Sequence, residues 1–258
     1  MEVARPILVM EQLGHAQAHV WLAFCENLPE AWLVGACTPL LDPEERRRWG
    51  RLRLSADRHQ YLAAHALLRV ALSRYADVAP QEWRLRPGAA GKPEIAGPAA
   101  APPLRFSLSH TRGLAACIVA LERDVGVDVE AMGSGAEVAE AAEQFLAPAE
   151  RAACDALPPG ARRERLYEYW TLKEAYVKGC GRGLSLPLRG IAFEIDASRR
   201  IRVALGAGIG DSGEDWQFLL SEPSPAHKLA AAVRRRRGEA VAIVERLLAL
   251  KDLTAHLE

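Results

Sequence analysis

The chain has 258 residues, half of them hydrophobic, with 33 basic and 33 acidic side chains and no formal net charge. That length carries one large or two half-size globular units with a substantial core, and the charge balance excludes nucleic-acid binding through a dominant basic field. No basic N-terminal segment leads into a long apolar run, and no window nears the roughly 20 apolar residues of a membrane span, so a soluble, cytoplasmic protein is expected.

In chain order, the basic run from Pro43 to Arg53 is helix-compatible, and Ser55 is a plausible N-cap for a helix in which Leu62, Ala66 and Val70 recur at helical spacing. Residues 87 to 103, rich in Pro, Gly and Ala, read as loop. FSLSH (106–110) and LAACIVAL (114–121) read as short buried strands around a turn at Thr111 to Gly113, and VGVDVE makes another strand. After a turn at Gly133 to Gly135, helical patterns run through Val138 to Phe145, Pro148 to Ala156 and Arg162 to Lys178, the last stopped by Gly179 to Gly183. IAFEI, IRVAL, WQFLL and KLAAAV read as strands, and the tail from Glu239 as further strand or helix. Helices and strands mix without βαβ alternation, which argues for an α+β fold. HTRGLAACIVA (from His110) and HKLAAAV (from His227) share a histidine before a small apolar strand, a faint sign of a duplicated half.

Two side-chain types invite separate reasoning. The five cysteines have no metal or redox spacing and read as reduced thiols, Cys180 being the one near the motif below. Only five basic residues are lysine (Lys92, Lys173, Lys178, Lys228, Lys251), so in an arginine-dominated chain each lysine invites a reason. The run Arg234 to Arg237 lies between two strand-like segments and reads as a solvated turn.

Asp128 and Glu130 stand two apart on a strand, so their carboxylates share a face. Two adjacent anions beside an apolar strand are costly without a cation between them, and oxygen donors suit Mg²⁺. Trp170, 42 residues after Asp128, opens WTLKEAYVKG, in which Trp170, Glu174 and Lys178 fall on one helical face. Singly, an Asp-x-Glu strand is also a surface pair and this helix segment a salt-bridged face. Together they describe a site for Mg²⁺ and a phosphate-bearing ligand.

In order and spacing these two elements resemble the signature of the 4′-phosphopantetheinyl transferase superfamily. GKPEI (91–95), FSLSHT (106–111), GRGLSLPL (181–188) and the DRHQYLAAHALLR helix extend the resemblance from about residue 43 to 190, on the pattern of the larger, Sfp-type members. The resemblance implies two similar α+β subdomains, 1–124 and 125–258, related by a pseudo-twofold axis, in a monomer with the site between them. It implies transfer of the phosphopantetheine arm of coenzyme A to a serine of an apo acyl or peptidyl carrier protein, with release of adenosine 3′,5′-bisphosphate. Asp128, Glu130 and Glu174 would bind Mg²⁺ or, alternatively, Mn²⁺; Glu174 would be the general base, directly or through a bound water. Lys178 and His110 would meet phosphate oxygens; Arg51, Arg58, Lys92 and Ser109 would hold the nucleotide; Lys173 would support the diphosphate or the acidic cluster. Two other readings are a coenzyme A or nucleotide-binding protein without transferase activity, and an RNA-binding protein built on the arginine runs, which the zero net charge weakens.

Overall fold

Strand β1 (Gln17–Phe24) is buried over six successive residues, a near-continuous apolar stretch that needs cover on both faces. The computed structural model describes residues 10–26, 28–88, 91–99, 101–133 and 136–249; Lys251 and residues 134 and 135 of the turn read after Ala131 lie outside them. After β1 come α1 (Glu30–Cys37), α2 (Pro43–Arg51), α3 (Ser55–Ser73), β2 (Arg84–Pro87), β3 (Pro93–Gly97), β4 (Leu104–Thr111), β5 (Leu114–Leu121) and β6 (Val125–Ala131). Then follow α4 (Ala136–Phe145), α5 (Pro148–Asp155), α6 (Pro159–Cys180), β7 (Ile191–Ile195), β8 (Ile201–Leu205), β9 (Trp216–Ser224), β10 (His227–Arg234) and β11 (Ala242–Leu247).

One sheet runs in the order β11-β1-β5-β4, a second β6-β10-β9, and β2-β3 and β7-β8 are separate hairpins. The α+β expectation therefore holds, and so does the duplication. Each half is a strand, a long helix and a hairpin, with the hairpin's second strand paired antiparallel to both others: β1, α3, β4-β5 in the first, β6, α6, β9-β10 in the second. Three apolar layers follow. Trp21 and Ala23 of β1 pack with α3, while Val20, Leu22 and Ile118 meet Val127, Val129 and Leu229 between the two sheets. Ala230 and Ala232 pack with α6 on the far side. Each large aliphatic side chain so buried contributes about 1.5–3 kcal/mol.

Four local expectations are corrected or sharpened. Ser55 is the first residue of α3 and caps nothing; the capping box belongs to α2, where Asp42 Oδ1 accepts from the Glu44 and Glu45 amides at 2.8 and 2.9 Å and Glu45 Oε2 from the Asp42 amide at 2.9 Å. The Pro/Gly-rich stretch is not all loop, because β3 pairs antiparallel with β2. Gly181, at φ 65°, closes α6 with its amide on Val177 O at 3.1 Å. The tail forms β11, which pairs parallel to β1 and so joins the sheet of the first half. Among the described residues no helix is long and apolar enough to cross a membrane, and all five cysteines are unpaired.

Candidate active site

The acidic strand meets its helix through two glycines. A Cβ on Gly126 would collide with the Ala175 carbonyl and the Gly179 amide, and one on Gly179 would stand 2.8 Å from the Trp216 ring. With hydrogens there instead, α6 lies directly on β6. Residues two apart on β6 then face the helix, so Gly126 at the contact point brings Asp128 and Glu130 beneath Glu174 and Lys178.

Lys178 Nζ donates to Asp128 Oδ1 at 2.6 Å and to Ser109 Oγ at 2.9 Å, and the Ser109 hydroxyl donates to Asp128 Oδ1 at 2.9 Å. Asp128 is 3% exposed, yet its Oδ2 has no hydrogen-bond partner. Glu130 Oε1 accepts from Trp170 Nε1 at 2.9 Å, so the tryptophan, whose ring packs edge-on against Phe145, orients a carboxylate as well as filling space. Burial, then the Asp128 charge, pushes Glu130 up to about 7. The same two causes in the same order raise Glu174, whose Oε1 is buried without a partner.

Among the described residues no three His, Cys, Asp or Glu side chains stand gathered as a ready metal cage; Lys178 and Trp170 each draw one carboxylate to themselves. The donor set nevertheless fits a hard divalent cation. Two buried carboxylate oxygens lack any donor and two of the acids are raised by burial and by the neighbouring Asp128 charge, which is what oxygen ligands of Mg²⁺ present before the ion arrives.

A cavity of about 570 Å³ opens beside this cluster, lined by Ser109, His110, Glu174 and Lys178 at one end and by Arg48, Tyr61, His65 and Lys92 elsewhere, over a floor that includes Leu68, Leu85 and Phe106. Lys92 Nζ donates to Val125 O at 2.8 Å and Gly179 O at 3.4 Å, which leaves one of its three N–H groups for a ligand. His110 sits at the rim, its Nδ1 3.4 Å from Gln60 Oε1. Asp128, Ser109, Glu174, Lys178, His110 and Lys92, together with Glu130, thus come to one region.

Three expected residues do not. Lys173 is fully buried and points away: its ammonium pairs with Glu150 Oε2 at 2.8 Å and donates to Leu188 O at 2.8 Å and to Ile191 O. One step along a helix is 100°, so neighbours in the Lys-Glu pair face different layers. Arg51 is exposed at the end of α2, and the Arg58 guanidinium lies over the Trp49 ring, 4.5 Å from its centroid; neither lines the cavity. Arg48, one turn earlier on α2, does. Sequence reasoning also missed Tyr61 and His65, whose rings stack 4.0 Å apart while His65 Nδ1 meets Glu45 Oε1 at 2.8 Å. Their i, i+4 spacing on α3 was the available signal.

The model of the 4′-phosphopantetheinyl transferase superfamily matches residues 124–234. A 4′-phosphopantetheinyl transferase of Nostoc sp., HetI, is 30% identical over 169 residues, 66% of this chain and 70% of that one. A 4′-phosphopantetheinyl transferase of Bacillus subtilis is 28% identical over 189 residues, 70% and 82% of the two chains; Sfp of Bacillus subtilis strain 168 is 25% identical over 190, 74% and 80%. Among solved structures, holo-[acyl-carrier-protein] synthase of Neisseria meningitidis superposes with a TM-score of 0.38 at 20% identity, over 44% of this chain and 98% of that one. The matched stretch contains both β6 and α6, the two elements whose glycine contact assembles the acids, and on the strength of the HetI match this chain belongs to the 4′-phosphopantetheinyl transferase superfamily.

Proposed function

We propose that this chain transfers the 4′-phosphopantetheine arm of coenzyme A to a serine hydroxyl of an apo acyl or peptidyl carrier protein and releases adenosine 3′,5′-bisphosphate. The observation that carries the reading is the pair of buried, donor-less oxygens of Asp128 and Glu174 beside a cavity rimmed with cations. A divalent cation, Mg²⁺ or Mn²⁺, held by Asp128, Glu130 and Glu174 would neutralise the diphosphate and polarise the phosphorus under attack.

The chain's own groups do the rest. Phosphoryl transfer asks mainly for charge neutralisation and in-line placement. Lys178 and His110 meet diphosphate oxygens, and Lys92 with Arg48, rather than Arg51 or Arg58, takes the phosphate of the adenosine portion. Ser109 holds Lys178 and Asp128 in place. Glu174, with one oxygen free of donors and its pKa raised by burial, accepts the serine proton as the hydroxyl attacks the β-phosphate. We read the two halves, 1–124 and 125–258 with β11 crossing back into the first sheet, as subdomains of a monomer that works in the cytoplasm with the site between them, the division being supported by the shared strand order.

The test is incubation with coenzyme A, Mg²⁺ and a panel of apo carrier proteins, read by intact mass. A phosphopantetheine adduct on a carrier is expected. Coenzyme A binding with no adduct on any carrier would overturn transfer in favour of a non-catalytic binding protein.

A further inference from the structure

Where the two halves meet, β4 ends one sheet and β6 ends the other. The edges are joined by side chains. Ser107 Oγ accepts the Val127 amide at 3.2 Å, Ser109 Oγ the Val129 amide at 3.4 Å and Thr111 Oγ1 the Ala131 amide at 3.1 Å. Both partners advance by two residues, so the strands run parallel at a fixed offset of 20. Lys92 Nζ on Val125 O continues the row at 2.8 Å. Four outward backbone groups of β6, one carbonyl and three amides, are thus satisfied by side chains of the first half, where an ordinary ladder would use backbone groups.

A hydroxyl accepts two hydrogen bonds and donates one. Ser109 uses all three, on the Val129 amide, Lys178 and Asp128. Ser107 and Thr111 touch neither acid nor lysine among the contacts described, yet they grip the amides on either side of Asp128 and Glu130. Ser107 is buried and Thr111 half-buried, and the amides they hold would otherwise be left unpaired at a substantial cost.

We propose that Ser107 and Thr111 are positioning residues for the transfer reaction, setting the register and gap between β4 and β6 and thereby the placement of Asp128 and Glu130 toward a divalent cation. The proposal rests on the transferase reading above. A strand joined to its neighbour only through hydroxyls slides or widens more readily than a laddered one when the hydroxyls go, and each shift moves both carboxylates relative to Ser109 and His110.

The experiment compares the wild type with Thr111→Val, Ser107→Ala, the double variant and the hydroxyl-retaining Thr111→Ser. Amide exchange at Val127 and Ala131 is measured in the free protein, Mg²⁺ binding by calorimetry, and the Mg²⁺ concentration for half-maximal carrier modification in the assay. In the double variant, protection at both amides is expected to fall, and Mg²⁺ affinity and the half-maximal Mg²⁺ concentration to worsen by about tenfold or more, with Thr111→Ser near wild type. If the double variant does not fold, Thr111→Val alone, nearly isosteric, is read at Ala131 in the same way. Lost protection with Mg²⁺ affinity unchanged overturns the proposal and makes the seam merely structural; unchanged protection overturns it as well. A wild type that modifies no carrier sinks the transferase reading instead, and amide exchange with calorimetry still decides the seam.

Discussion

The two halves share a strand order, and their differences explain why the acidic site sits in only one of them. Matching LAAC (114–117) of β5 to LAAA (229–232) of β10 brings their strand partners into correspondence. Leu114 to Cys117 pair with Phe24, Ala23, Leu22 and Trp21, and Leu229 to Ala232 with Val129, Asp128, Val127 and Gly126. Trp21 therefore stands where the second half has Gly126, and Ala23 where it has Asp128. Trp21 fills the layer under α3, its indole N–H bonded to Tyr75 Oη at 2.8 Å, and spaces helix from strand. Gly126 does the reverse, and α6 settles onto β6. The outer edges differ in the same sense: β1 is laddered by β11 over Gln17 to Leu22, whereas β6 is held by hydroxyls that leave room for polar chemistry. A close helix and an unladdered edge, more than the acids alone, separate the chemical half from the supporting one.

The comparison breaks most completely at Gly126. Gly126→Ala forces α6 off β6, with an expected loss of about 3–5 kcal/mol by denaturant unfolding and no detectable transfer. Next comes the buried ion pair on the far side of α6. Lys173→Met leaves the buried Glu150 carboxylate with only the Ala147 and Phe193 amides for partners, at a cost of about 3–5 kcal/mol, and the double variant Lys173→Met/Glu150→Gln recovers part of it. Because Lys173 faces away from the cavity, the KM for coenzyme A of whatever folded Lys173→Met remains is expected to stay near wild type. A rise in KM alone would return Lys173 to the binding site.

Smaller effects sharpen the assignment of the cations. Arg48→Ala is expected to raise the KM for coenzyme A about tenfold, as loss of one charge-assisted hydrogen bond to a phosphate does, with kcat little changed. Arg51→Ala and Arg235→Ala, outside the cavity lining, should leave it near normal. In the first half, burial followed by the Arg246 charge pushes His19 from 6.5 down to about 4; the ring is 1% exposed and its Nδ1 lies 2.7 Å from Tyr75 Oη. A folded pKa below the unfolded one means that the unfolded chain takes up the proton first. The contribution is whole above pH 6.5 and is lost as pH falls toward about 4, an effect on the order of 3 kcal/mol. His19→Gln should flatten melting temperature against pH across that window, and an unchanged slope would assign the acid sensitivity elsewhere.

Much of this was legible in the residue order. Helices α3 and α6, the strands β4, β5 and β6, and the pairing of Asp128 with Glu130 on one strand face and of Glu174 with Lys178 on one helix face follow from periodicity, since i and i+2 on a strand and i and i+4 on a helix share a face whatever surrounds them. The placements that differ from expectation depend on the third dimension. Lys173 sits beside Glu174 in sequence but a third of a helical turn round from it, and only the packing of α6 on β6 shows which of the two faces the strand. Within the arginine-rich residues 46–53 the sequence does not distinguish one guanidinium from another, and only the folded structure places Arg48 in the cavity lining and leaves Arg51 out of it. The capping box of α2 was readable at Asp42 and Glu45, and β11 was not, because a parallel pairing between the ends of a chain leaves no local signal.

The central claim is that the strand with Gly126 and Asp128 carries chemistry while its counterpart with Trp21 and Ala23 carries structure. Carrier modification and thermal melting of Asp128→Ala, measured side by side with the wild type, test it most directly. The expected result is no phosphopantetheine adduct from a protein that still melts cooperatively, since a buried oxygen without a donor is removed along with the bonds to Oδ1, and the Lys178 ammonium, 30% exposed, can turn to water; adduct at the wild-type rate, or collapse of the fold, would contradict it.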